Sequence, residues 1–383
     1  MKKIIDINSL TREMKLLLLL VQSDDDSLFG EVDFDNIDWN IFLELVYHHR
    51  LYPLVYTKMK RIGTEVPERV LDKLKKQYQE NTYRMLNLCS EMERVVNALE
   101  TEQIKTLVLK GPVLAESLYG DLSLRTSKDL DIFVPIDELD HVKDLLIKEG
   151  YVFKKDLPPV LNEWKWRWHH VSCIHHQSAI QIEIHWRLSH DSGKEPSFDE
   201  LWTRRRRSNL TSKPVYFLGN EDLFLYLITH GSRHGWNRLR WLVDIDKMLS
   251  NKVNEGNLIS LLDKYSSKQL AGQTLILLSE LFNSTISKEF DPIMRNNHSR
   301  RLARYAFVFI KEMINLENSE PSFKYQLSLK TWLQKINFLL RRMHPDSLDR
   351  NIIHLPKGFF FLYFLLRPFL WVIRKLKRIT VIS

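Results

Sequence analysis

Apolar positions recur every three to four residues through most of the first hundred residues. Over 38–60 this spacing predicts amphipathic helix, with Asp38 placed to cap its first turn. Residues 70–101 keep the same period with no Gly or Pro, which predicts one long helix. Near residue 104 the pattern changes. IKTLVLKG is a short apolar run halted by Gly111-Pro112, as in a buried strand, and PVLAESLY follows as a helix with Pro112 in its first turn. LDIFVP is a second strand closed by Pro135. IDELDHVKDLLIKEGY is a helix ending near Gly150, and AIQIEIHWRL (179–188) alternates as a third strand. This order predicts an α+β protein: a small mixed-sheet core flanked by helical regions. Residues 220–250 read as two helices joined by a turn at Gly231 or Gly235, and 255–345 as further amphipathic helices. No repeat of solenoid period is present. The expected organisation is a helical region over 1–103, an α/β core over 104–213, a helical domain over 214–354 and an apolar-basic tail over 355–383.

Composition narrows the class. With 44% hydrophobic and 27% charged residues, the 383-residue chain can bury a core and is not disordered by composition. Two cysteines, Cys89 and Cys173, are too few for a disulfide framework, so a reduced cytoplasmic setting is expected. Lys2-Lys3 and the apolar run 16–21 lack a cleavage site and membrane length, so they read as a first amphipathic helix rather than a signal peptide. The net charge of +8 suits an anionic partner, or else cations spread over solvated helix faces. In the tail, 358–378 is apolar, interrupted by Arg367-Pro368, then basic. Two outcomes are open. It makes a peripheral contact with an anionic membrane surface, or it packs as a terminal helix into the C-terminal bundle, the commoner fate of such a segment.

The candidate chemistry lies in the second and third strands. Alternation puts Leu130, Ile132 and Val134 on one face and Asp129 and Asp131 on the other. Two carboxylates so close repel unless neutralised, and oxygen ligands of this kind suit Mg²⁺ or Mn²⁺. Glu183 and His185 likewise stand opposite Ile182 and Ile184. If the strands are neighbours, Glu183 becomes a third carboxylate, and three acids holding metal suit in-line attack at a phosphoryl group. Upstream, Lys110-Gly111 at a helix start offers a cation and backbone N–H groups to a phosphate, and Arg125 offers a bidentate contact.

These residues resemble a known family. Lys110-Gly111, Leu118-Tyr119-Gly120, Arg125, Asp129-Leu130-Asp131, Glu183-Ile184-His185-Trp186 and the later His230-Gly231, His234-Gly235-Trp236, Leu239 and Trp241-Leu242-Val243-Asp244 look like the uncharacterised nucleotidyltransferase family of the DNA polymerase beta-like superfamily. The similarity covers most of 38–250. It implies the minimal nucleotidyltransferase fold, Mg²⁺, and transfer of a nucleoside monophosphate from an NTP with release of pyrophosphate. Asp129 and Asp131 match the superfamily's metal-binding pair, and Glu183 its third acid. The acceptor implied is a small molecule, sugar or peptide, as in natural-product or polysaccharide biosynthesis. Three features depart from the pattern: Gly111-Pro112 replaces the usual Gly-Ser, with Lys110 as a substitute for the serine; the gap from Gly111 to the acid pair is longer than in the minimal members; and the third acid is Glu. The alternative is a catalytically inactive nucleotide- or partner-binding scaffold. For an enzyme, Asp131→Asn is expected to abolish activity with little change in folding.

His230 and His234, four apart, are expected to wall the nucleotide site. HHVSCIHH (169–176) has metal-like composition without structural-zinc spacing and reads as strand and turn, with His170 able to reach the site from a neighbouring strand. Arg204 to Arg207 reads as a solvated linker run. No helix-turn-helix, zinc-finger or RNA-recognition signature is present, so no dedicated nucleic-acid binding is expected.

Overall fold

The computed structural model describes residues 4–22, 34–63, 66–153, 168–189, 194–250, 253–316, 322–345, 347–350 and 352–382; Lys2 and Lys3 lie outside them. Asp38 caps the helix Trp39–His48, its carboxylate accepting from the Asn40 and Ile41 N–H groups at 2.9 and 3.2 Å. The long uninterrupted period becomes one helix, Glu68–Thr101.

Among the described residues, seven strands form one mixed sheet: β1 (Leu107–Val108), β2 (Asp129–Phe133), β3 (Tyr151–Phe153), β4 (His170–His175), β5 (Gln181–His185), β6 (Arg206–Ser208) and β7 (Val215–Phe217). The spatial order is β3-β4-β5-β2-β1-β7-β6. β2 runs antiparallel to β1 and parallel to β5, so the strands that carry the acids are neighbours. One sheet face is apolar. Leu130, Ile132, Ile182 and Ile184 are fully buried and share a core with Val95 and Leu99 of the long helix and Val142 and Leu146 of helix Leu139–Lys148. The carboxylates occupy the opposite face, as period-two alternation requires.

The helices before and after the sheet join a single apolar core that includes Phe42, Val46 and Val55 on one side and Phe224, Leu242 and Leu275 on the other. Polar contacts tie the two sides together. Glu280 accepts from the Ile4 N–H at 2.9 Å, His48 Nε2 lies 2.7 Å from the Asn237 carbonyl, and His49 Nδ1 accepts from the Leu239 N–H at 3.2 Å.

The turn read at Gly231 or Gly235 uses both glycines differently. Helix Asn220–Arg233 continues through Gly231, and the turn falls at Gly235, whose φ is +65°. Gly231 is needed for space, because a Cβ there would run into the fully buried Trp236 indole. Gly231→Ala is expected to destabilise the fold by about 1–3 kcal/mol, the usual cost of overpacking, read as a lower denaturant midpoint at unchanged slope.

The arginine run also departs from a solvated linker. Arg204 Nε pairs with Asp222 Oδ2 at 2.7 Å, the Arg205 guanidinium lies 4.1 Å from the Trp202 ring centroid, and Arg206 enters β6, 4.4 Å from the Phe217 ring centroid. Cation–π stacking half-buries Arg205 and Arg206, whereas Arg204 and Arg207 stay exposed to water as expected, Arg204 while paired with a buried acid.

At the C-terminal end, helices Trp332–Met343 and Leu362–Ile382 leave the main core. Phe360, Tyr363 and Leu370 form a small cluster of their own, backed by Ile352, Leu355 and Leu366. Among the described residues no helix is long and apolar enough to cross a membrane.

Candidate active site

The parallel pairing of β2 and β5 sets Asp131 directly opposite Glu183. His185 projects from the same face two residues further along β5. Its Nε2 lies 3.1 Å from Asp131 Oδ1 and 3.5 Å from Glu183 Oε2. Lys110 Nζ reaches Asp131 Oδ1 at 3.1 Å from the other side. His170, paired with His185 across β4 and β5, places Nε2 3.8 Å from Glu183 Oε2. Ligand atoms of Asp131, Glu183 and His185 all lie within 4.8 Å of one another, and so do those of His169, His170 and His185. Asp129 stands outside both groups, opposite Gln181.

Environment separates the two aspartates. Burial pushes the Asp129 carboxyl above its ordinary range, and the charges of Asp131 and Glu183 push it further. Burial acts on Asp131 in the same sense, yet Lys110 and His185 overcome it and hold that carboxyl well below the usual range. Lys110 is the reciprocal case: burial works against its charge, and Asp131 raises it above the ordinary lysine value. Asp131 Oδ2 is buried and has no hydrogen-bond partner, an open acceptor at the centre of the cluster.

The turn that delivers Lys110 follows from local sequence. The Leu109 N–H donates to the Asp131 carbonyl at 2.9 Å and ties the end of β1 to β2. Gly111 then adopts φ +81°, open to glycine and strained for other residues, and caps helix Pro112–Tyr119. Pro112 at the first helical position loses no hydrogen bond, because that N–H has no intrahelical partner.

Arg125 does not join the cluster. It is buried against Asp244, with Nε 3.0 Å from Oδ1 and Nη2 3.0 Å from Oδ2, and the Tyr119 hydroxyl donates to Asp244 Oδ1 at 2.7 Å. This internal pairing takes the place of the bidentate phosphate contact read from the sequence. His230 does line the cavity beside Glu183, with Lys110, His185, Tyr226 and Arg233. His234 sits behind it: its ring is 5.3 Å from that of Trp241, and Arg233 Nη2 lies 3.1 Å from its Nε2. Burial, aided by nearby cations, drives both imidazoles down, His234 to about 3, so both are neutral near pH 7.

Several contributors escaped the sequence reading. Tyr226 lies one turn before His230 on the same helix, and the Lys110 ammonium is 5.8 Å from its ring centroid. On the Asp129 side, the turn bearing Arg50 docks against the turn bearing Arg238 through the His48 and His49 contacts. Burial and Arg238 push the Arg50 guanidinium down to about 10. Helical spacing could have flagged Tyr226. Nothing in the linear pattern signals Arg50.

A mixed sheet that presents acids on adjacent parallel strands, with a Lys-Gly turn leading into a helix, has the α+β architecture of a nucleotidyltransferase-like core. The profile of the uncharacterised nucleotidyltransferase family matches residues 35–283, and the chain belongs to that family. Among solved structures, it is similar to an antigenic nucleotidyltransferase-like protein from Paracoccidioides brasiliensis, at 15% identity and a TM-score of 0.33 over 55% of this chain and 98% of that one. No curated protein matches the chain.

Proposed function

We propose that the protein transfers a nucleoside monophosphate from an NTP to a hydroxyl of a small-molecule, sugar or peptide acceptor. The observation that carries this reading is the register of β2 on β5, which sets Asp131 beside Glu183 with Asp129 on the same strand face. The donor set fits a hard divalent ion: carboxylate oxygens, one of them buried and without a partner, with an imidazole beside them. Asp131, Glu183 and His185, whose ligand atoms lie within 4.8 Å of one another, would hold Mg²⁺ or Mn²⁺, and Asp129 on the same strand face would complete the set. When bound, the ion neutralises phosphate charge and favours ionisation of the acceptor hydroxyl.

The chain's own residues supply the rest. In this reading Lys110 and the backbone at Gly111 receive the phosphates, and neutral His230 faces the nucleotide while His234 supports it from behind. In this reading a Glu183 carboxylate oxygen takes the acceptor's hydroxyl proton, and the acceptor oxygen forms a bond to the α-phosphorus. The bond from that phosphorus to the bridging oxygen breaks, and pyrophosphate leaves with the electron pair. Cys89 and Cys173 are both free thiols, which suits a reduced cytoplasmic setting, and a role in biosynthesis of a natural product or polysaccharide belongs to the same reading.

One observation favours the inactive scaffold. Lys110 already neutralises Asp131, and Pro112 offers no hydroxyl where the related pattern has serine. Calorimetry with ATP, GTP, CTP and UTP, with and without Mg²⁺, decides between the readings. The expected result is Mg²⁺-dependent binding of one or more nucleotides, weakened at least about tenfold, or 1.4 kcal/mol, by Glu183→Gln. Nucleotide binding indifferent to both Mg²⁺ and Glu183→Gln would favour the scaffold, and no binding at all would count against both.

A further inference from the structure

We propose that the C-terminal helices Trp332–Met343 and Leu362–Ile382 together form a docking surface for an anionic lipid bilayer. This surface is independent of the nucleotide site. Its first support is the distribution of charge. Residues 322–383 hold twelve Lys and Arg against two Asp, whereas the whole chain has 56 cations against 48 acids, leaving 44 against 46 in residues 1–321. The net positive charge of the protein therefore resides in its last 62 residues.

The second support is where apolar side chains are exposed. Sixteen of the 24 exposed large hydrophobic residues among those described fall in the same stretch. In the 332–343 helix, Trp332, Leu333, Ile336 and Leu340 follow helical spacing, yet their stripe faces outward; Trp332 is 74% exposed and Leu333 71%. A helix of a soluble core buries such a stripe. In the 362–382 helix, Tyr363, Arg367 and Leu370 face inward, while Leu365, Phe369 and Val372 face out.

Arg367 removes an apparent obstacle. In the sequence it interrupts the apolar run. In the fold its guanidinium turns inward to a buried ion pair with Asp349, so the outward face around it keeps no charge. An outward apolar, aromatic-rich face in a strongly cationic segment has the chemistry of an interfacial helix on anionic headgroups. A second copy of the chain would bring the same excess of positive charge to the contact, which opposes self-association.

Co-sedimentation of the full chain with vesicles tests this. The expected result is binding to phosphatidylcholine vesicles containing phosphatidylglycerol, little binding to phosphatidylcholine alone, and weakening as salt rises. Leu333→Glu/Leu340→Glu and Leu365→Glu/Phe369→Glu should each reduce binding at least tenfold. These side chains are exposed, so melting curves should match wild type. Headgroup and salt dependence of the wild type hold independently of any variant. Glu183→Gln should bind vesicles like wild type, which separates this outcome from the fate of the nucleotide reading. Failure to bind anionic vesicles would overturn the proposal, and so would a dimer in sedimentation velocity that the same substitutions dissociate without any lipid binding.

Discussion

Asp131→Asn is expected to lower folding stability by about 3–5 kcal/mol, whereas Asp129→Asn, two residues away, should raise it. Asp131 is fully buried and is the contact point for both Lys110 and His185. Removing its charge leaves a largely buried ammonium without its counter-ion, the situation in which a buried pair is most costly to break. Asp129 has the opposite balance. Burial and two neighbouring carboxylates disfavour its charge in the folded state, and an isosteric amide relieves that repulsion. Denaturant unfolding of the protein free of metal and nucleotide measures both effects. Equal shifts of the same sign would refute this division of roles. The simple expectation that Asp131→Asn spares the fold is therefore replaced, and Glu183→Gln becomes the cleaner probe of nucleotide binding.

The second large effect is predicted at Asp244. Arg125 and Asp244 are both buried and joined in a bidentate pair, with Tyr119 donating to the same carboxylate. Asp244→Asn should cost about 3–5 kcal/mol, because the guanidinium is left buried and uncompensated. The double variant Arg125→Met/Asp244→Leu should be less destabilised than the sum of its single changes, since no lone charge remains in it. A double-mutant cycle by chemical denaturation reads the coupling. Arg125→Met should leave nucleotide affinity of the folded protein unchanged. A large loss of triphosphate affinity would return Arg125 to the phosphate site.

The site's face was readable because strands alternate strictly. Asp129, Asp131 and Glu183 could be assigned to the polar side from period two alone, and β2 and β5 do lie side by side. Pairings distant in sequence were not readable. Arg125 and Asp244 lie 119 positions apart, and both stood among the residues that suggested the family, yet spacing says nothing about which polar groups meet. The short strands β6 and β7 were hidden for a related reason: the arginines there are stabilised by aromatic rings and an acid beyond any local window. At the C-terminal end the helical period was legible, but period alone does not say whether an apolar stripe faces a core or solvent.

The parallel pairing that builds the acidic cluster also dates it within the life of the chain. His185 follows Asp131 by 54 positions, and the two meet only after the intervening helix and both antiparallel strands have been placed. Parallel pairing across so long a separation carries a loop-closure cost, which makes it a slow contact to form. During synthesis, a chain that has emerged only as far as Phe133 carries two aspartates on a strand that β1 alone can pair with, and neither Glu183 nor His185 is beside them. The cluster that would capture a divalent ion arises only with the completed sheet, so an incomplete or unfolded chain offers no such trap.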